Sequence, residues 1–144
     1  MKKMVVTLAL LFSSYVSANW DVNQNGVAVQ SASNDFDSLA ILEFVDGTYY
    51  VSFIDTSYHE VNSECEEHDS TIREINGQPV KLHTVCDRGV SRHYALTDKG
   101  REFVINELKT KNSVKFGDDT YSAIGFSAAL EKLKQRHEWE KEAL

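Results

Sequence analysis

The stretch LAILEFVDGTYYVSFID, Leu39 to Asp55, constrains the fold more than any other part of the chain. Asp46-Gly47 lies between two alternating runs, and a two-residue hairpin turn needs residues there that tolerate a left-handed backbone. With the turn at that point, Val45 faces Thr48, Phe44 faces Tyr49, Leu42 faces Val51 and Ala40 faces Phe53. One side of the ribbon is then Ala40, Leu42, Phe44, Tyr49, Val51 and Phe53, wholly apolar or aromatic. The other carries Glu43, Thr48, Tyr50 and Ser52. Slipping the register by one residue would mix the two faces, so the pairing is well specified. This hairpin is expected at the centre of the core.

The rest of the chain supplies partners for it. Trp20 to Val22 and Val27 to Gln30 read as short strands around Asn25-Gly26. TIREINGQPVKLHTV reads as a second hairpin around Asn76-Gly77, nearer an edge because its alternation is weaker and it holds Pro79, the single proline. Ser91 to Leu96 offers another strand. In TDKGREFVINELKTKN the period changes: Thr97 or Asp98 can cap a helix, and Phe103, Val104 and Leu108 recur at helical spacing. SVKF and TYSAIGF, around Gly117-Asp118-Asp119, read as paired strands. SAALEKLKQRHEWEKEAL closes as a helix with Ser127 as its cap and Ala129, Leu130, Leu133 and His137 as its apolar stripe. The fold class is α+β: an antiparallel sheet or sandwich with a middle helix and a C-terminal helix packed at its flank, and one disulfide.

The N-terminus states a destination. Lys2 and Lys3 precede an apolar run from Val5 to Phe12, and Val16-Ser17-Ala18 offers a small-residue cleavage site. Residues 1–18 are expected to be a cleaved signal peptide and residues 19–144 a single exported domain, periplasmic in a Gram-negative bacterium. The apolar run is shorter than the roughly 20 residues a membrane span takes, so no membrane span is expected. Losing Lys2 and Lys3 moves the formal net charge from −7 to −9. So negative a chain is a poor match for nucleic acid or anionic lipid, and it favours a basic protein partner. The sequence leaves a homodimer open.

Cys65 and Cys86 both follow the signal peptide. An even cysteine count in an oxidising compartment points to a bridge, which should stabilise the fold by roughly 3 kcal/mol. The pair would staple the open end of the second hairpin. The rival is a metal site of Cys65, His68, His83 and Cys86, but its spacing matches no zinc finger and zinc needs reduced sulfur. No metal and no cofactor are expected.

Catalytic patterns fail one by one. His59-Glu60 has no second histidine four positions after His59, there is no Gly-x-Ser-x-Gly, and no glycine loop cradles phosphate. Ser91 and His93 share a strand face without a third partner in view. The reading is a non-enzyme. YHEVNSECEEHD, Tyr58 to Asp69, crowds acids behind an aromatic, and Cys65 would tether it, which lowers the ordering cost of binding. Tyr58, Glu60, Glu64, Glu66 and Glu67 are the candidate partner contacts.

Toward the C-terminus, VKFGDDTYSAIGFSAALEKL resembles the end of the invasion-associated locus B family of small periplasmic proteins. The matching residues are Ser122, Gly125, Phe126, Ala128, Ala129 and Leu130. The resemblance implies an exported β-sandwich with disulfides and a role in the envelope or host association; it carries over no functional residue. In type, the chain is also similar to periplasmic immunity proteins and lysozyme inhibitors, as a small, acidic, exported domain. The leading expectation is an inhibitor or immunity protein of the type VI secretion kind, blocking a basic wall-degrading enzyme. The alternative is an envelope or host-association protein, and the third reading is a small hydrolase with an unrecognised carboxylate pair.

Overall fold

The computed structural model describes residues 20–55, 65–87 and 89–144. The expected signal peptide, residues 1–18, lies outside them. Among the described residues, nine strands and two helices follow in the order β1 (Asp21–Val22), β2 (Ala28–Ser31), β3 (Ser38–Val45), β4 (Thr48–Asp55), β5 (His68–Ile75), β6 (Gln78–Asp87), β7 (Val90–Ala95), α1 (Asp98–Thr110), β8 (Ser113–Phe116), β9 (Asp119–Ser122) and α2 (Phe126–Lys141). All strands join one antiparallel sheet in the order β1-β2-β3-β4-β7-β6-β5-β8-β9. Of the two expected forms, sheet or sandwich, the molecule adopts the single sheet.

That sheet curls back on itself. Ala32, just after β2, bridges Tyr121 of β9, and the Ser33 amide donates to the Thr120 carbonyl at 2.8 Å. The Trp20 indole donates to the Ser122 carbonyl at 2.7 Å. The two ends of the sheet therefore meet around a common interior.

The first hairpin pairs in the expected register, from Val45↔Thr48 to Ala40↔Phe53 and on to Ser38↔Asp55. Asp46 and Gly47 both have positive φ, 49° and 83°, as the turn requires. Ala40, Leu42, Val51 and Phe53 are buried, while Phe44 and Tyr49 are partly buried against the core. Fully burying an aliphatic or Phe side chain contributes about 1.5–3 kcal/mol, so this face is a main source of stability. Ser52 lies on the opposite face but is only 1% exposed. The Arg92 side chain covers it, donating from Nε to the Ser52 hydroxyl at 3.2 Å and pairing with Glu43.

The second hairpin also turns at its Asn-Gly, with φ of 49° at Asn76 and 78° at Gly77. It does not lie at the sheet edge: β6 sits between β5 and β7. The edge character expected from Pro79 survives locally. Pairing of β6 with β7 begins only at Leu82, and β5 meets β8 through Ile75↔Phe116 alone. A residue without an amide hydrogen thus sits where no β7 partner asks for one.

The helices close the end of the sheet nearest these turns. Thr97 is the N-cap of α1, its hydroxyl accepting from the Gly100 amide at 3.0 Å, and Val104 and Leu108 are buried. Helix α2 buries Phe126, Ala129, Leu130 and Leu133. Trp20 meets Phe126 edge to face at 5.2 Å, and His137 packs on the Phe44 ring at 3.5 Å between centroids. The cap of α2 differs from expectation. Gly125, in the left-handed conformation at φ 82°, is the N-cap, and Ser127 is already inside the helix. The tight passage from β9 through Ala123 and Ile124 needs a residue without the Cβ penalty at that point. Among the described residues, no helix is long and apolar enough to cross a membrane.

A polar cleft at the mouth of the sheet

The strand pairings stack inward-facing residues in rungs. Leu42 pairs with Val51, and Leu82 with Ala95, all buried and apolar. One rung further from the helices come Ala40, Phe53, His93 and Thr84. The next rung is Ser38, Asp55, Ser91 and Cys86. Within two rungs the interior changes from hydrocarbon to hydroxyl, imidazole and carboxylate. That change marks a mouth at the end opposite the helices.

Two adjoining cavities occupy it, of about 290 and 560 Å³, and Asp55, Arg73 and His93 line both. The smaller has an aromatic floor: Phe53 stacks on Phe116 at 4.5 Å and tilts against Tyr121 at 5.3 Å. Asp35, Asp118 and Asp119 stand on its walls. The larger is lined by Cys65, Glu66, His68, Thr71, Thr84 and Ser91.

Arg73 reaches the junction from β5, with its guanidinium over the Phe116 ring at 4.3 Å. Gly117 makes room for it. A Cβ at 117 would lie 2.8 Å from an Arg73 guanidinium nitrogen, and φ there is +59°. His93 is held by Thr84, whose hydroxyl lies 2.8 Å from Nδ1. Burial first, and then the Arg73 charge, lower the His93 pKa below its ordinary value, against an opposing pull from Asp55. Both effects favour the neutral ring. The Tyr121 phenol is pushed far up, chiefly by burial and then by Asp119; it remains a hydrogen-bond donor at any physiological pH.

The rim is tied down on both sides. Asp35 accepts from the Asp37 amide at 3.0 Å and the Ser38 hydroxyl at 3.1 Å. Asn34 donates to the Asp118 carbonyl at 2.9 Å and accepts from the Thr120 amide at 3.0 Å. Phe36, held on this turn, is 84% exposed. Across the mouth, Cys65 and Cys86 form the expected disulfide, with Cα atoms 5.9 Å apart. Cys65 Sγ lies 3.2 Å from the Ser91 hydroxyl, and the Cys86 amide donates to Glu67 at 3.3 Å. Both sulfurs are spent in this bond, so the rival Cys2His2 set does not form. A disulfide is the usual mark of an oxidising compartment.

Of the residues predicted to contact a partner, Glu66 and Glu67 flank the disulfide at the mouth and are exposed. Tyr58, Glu60 and Glu64 lie outside the described residues. Sequence reasoning missed Arg73, Tyr121 and Asp119; it placed Ser91 and His93 on one strand face, where both line the larger cavity, but gave them no role. One clue was present: Thr71, Arg73 and Ile75 alternate, so the face that buries Ile75 also carries Arg73, which stays exposed at the mouth. No family model matches the chain, and neither characterised proteins nor solved structures give a match.

Proposed function

We propose that this is a non-enzymatic exported binding protein, an inhibitor or immunity protein that places its acidic mouth on a basic wall-degrading enzyme and blocks it. The observation that supports this reading best is the gathering of acids at one end. Asp35, Asp118 and Asp119 line the cleft, while Glu66 and Glu67 stand beside the disulfide on its rim. A bridge at that rim holds the charges in place before binding, which lowers the ordering cost. Attraction between an acidic end and a basic surface acts chiefly on encounter rate and partner choice.

The test is surface binding to a panel of basic peptidoglycan hydrolases, with inhibition of each enzyme measured in parallel. Wild-type protein should bind at least one of them, more weakly as salt shortens the Debye length toward about 8 Å. Reversing Glu66 and Glu67 to Lys should slow association strongly. Reversing Glu131 and Glu142, exposed on and just after α2, changes net charge equally and should do less. Equal effects of the two pairs would remove the mouth as the contact surface. Absence of binding to every enzyme in the panel would remove the inhibitor reading.

A further inference from the structure

We propose that the mouth cleft is also a binding site for a small zwitterion, a free amino acid or short peptide with both termini unblocked. The two cavities together fall within the roughly 300–1,000 Å³ typical of small-molecule sites, and their chemistry is bipolar. Asp118 and Asp119 stand on the walls of the smaller cavity. Among the described residues, the Asp119 side chain takes only a long hydrogen bond from Asn34, at 3.5 Å. Arg73 stands at the junction with the larger cavity. Thr71 is on a wall of that larger cavity, and its hydroxyl is buried without a hydrogen-bond partner among the described residues. A buried hydroxyl with nothing to bond costs stability; a ligand carboxylate reaches it once the Thr71 side chain turns toward the cavity, and the bond gained offsets that turn.

This pattern selects among ligand classes. A simple anion drawn to Arg73 meets Asp55 beside it and two aspartates in the smaller cavity, and a simple cation drawn to the aspartates still meets the Arg73 guanidinium. A neutral ligand matches neither charge. A ligand with an ammonium at one end and a carboxylate at the other satisfies both: ammonium toward Asp118 and Asp119, carboxylate toward Arg73 and Thr71. Carboxylate recognition by a guanidinium is geometrically specific. The aromatic floor at Phe116 suits the carbon skeleton between the charged ends. Asp55 stands beside Arg73 and His93 at the junction, so the guanidinium offers a ligand carboxylate one cationic contact in an otherwise acidic cleft, and the ammonium end supplies the rest of the attraction. This site does not depend on the enzyme-binding reading, and either can fail without the other.

The experiment is calorimetric titration of the oxidised protein near neutral pH with the free amino acids and with di- and trialanine. The tightest of these is then compared with its N-acetyl and C-terminal amide forms. At least one unblocked probe should bind saturably, and each block should weaken it about tenfold or more. Arg73→Gln should abolish the penalty for the amide, and Asp119→Asn the penalty for the acetyl group, each leaving the other penalty in place. Should either variant fail to fold, the blocked and unblocked ligands on wild-type protein decide the matter alone. No saturable binding by any unblocked probe overturns the proposal, as does equal binding of the blocked forms.

Discussion

Replacing Phe53 with Ala tests the architecture at its most heavily used position. The side chain is 2% exposed, stacks on Phe116 at an interplanar angle of 12°, and touches Tyr121 from the side. Truncating a buried Phe to Ala typically costs 3–5 kcal/mol, from lost transfer energy and the cavity left behind. Each aromatic pair lost adds about 0.5–1.5 kcal/mol, so the upper half of that range, about 4–5 kcal/mol, is expected. The neighbouring substitution Ser52→Ala is the control. Binary patterning alone would assign it a negligible cost, but Ser52 is buried beneath Arg92 and accepts its Nε–H. Losing an acceptor for a charged donor, with Glu43 still paired to Arg92, should cost about 1–2 kcal/mol. Urea unfolding followed by far-UV circular dichroism gives both values, provided the slope of the transition is unchanged. Since domains of this kind hold about 5–15 kcal/mol in total, Phe53→Leu is the fallback; it should lose the energy of its two aromatic pairs, about 1–3 kcal/mol. If Phe53→Ala costs no more than Ser52→Ala, the inward face has been assigned to the wrong side.

Three further outcomes follow from particular contacts. The native oxidised protein should show no free thiol, and Cys65→Ser should lower stability by about 2–5 kcal/mol; two titratable thiols would contradict the bridge. Thr97→Ala should cost about 1 kcal/mol through loss of the α1 cap, while Thr97→Ser should recover most of it; an unchanged urea midpoint for the alanine variant would refute the cap. Because His93 has its pKa lowered from 6.5 in the native state, the unfolded chain takes up that proton first as pH falls. Stability should therefore drop as pH passes below 6.5 toward the native pKa. His93→Gln should flatten that part of the profile, and equal slopes for the two proteins would contradict the assignment.

How legible this was from sequence depends on whether the deciding contacts are local. The hairpin of β3 and β4 was readable because a single turn sets eight pairings and only one register buries an unbroken apolar face. The cap at Thr97 and the Asn76-Gly77 turn are local in the same sense. The place of β7 was not readable, because its partners, β4 and β6, are set by how the sheet curls. Ser127 looked like a cap because Ser is a good one; the turn needed a left-handed residue two positions earlier, and Gly125 supplied it. The two cysteines were readable from compartment logic, although their closeness to Ser91 was not. Ser52 was placed correctly on the face opposite the apolar one, but alternation says only which side a residue faces, not that Arg92 lies on top of it.

The cleft belongs to the non-local class. Taken singly, β3 ends at Ser38, β4 at Asp55 and β6 near Thr84 and Cys86, which reads as ordinary polar fraying at strand ends. Only the pairing brings these ends to one level and turns them inward together. A fold selected for stability alone would carry apolar residues to the last inward rung, because a buried polar group costs about 1–3 kcal/mol unless it is bonded. Here the apolar filling stops at Phe53 and Phe116, and above them stand Arg73, His93, Asp55 and Asp119 around open volume. The disulfide lies at that same level, where hydrophobic packing no longer holds β6 and the segment before β5 together. A covalent bond placed where packing ends lets the mouth stay open and polar without losing its shape, which is the condition a preformed binding site must meet.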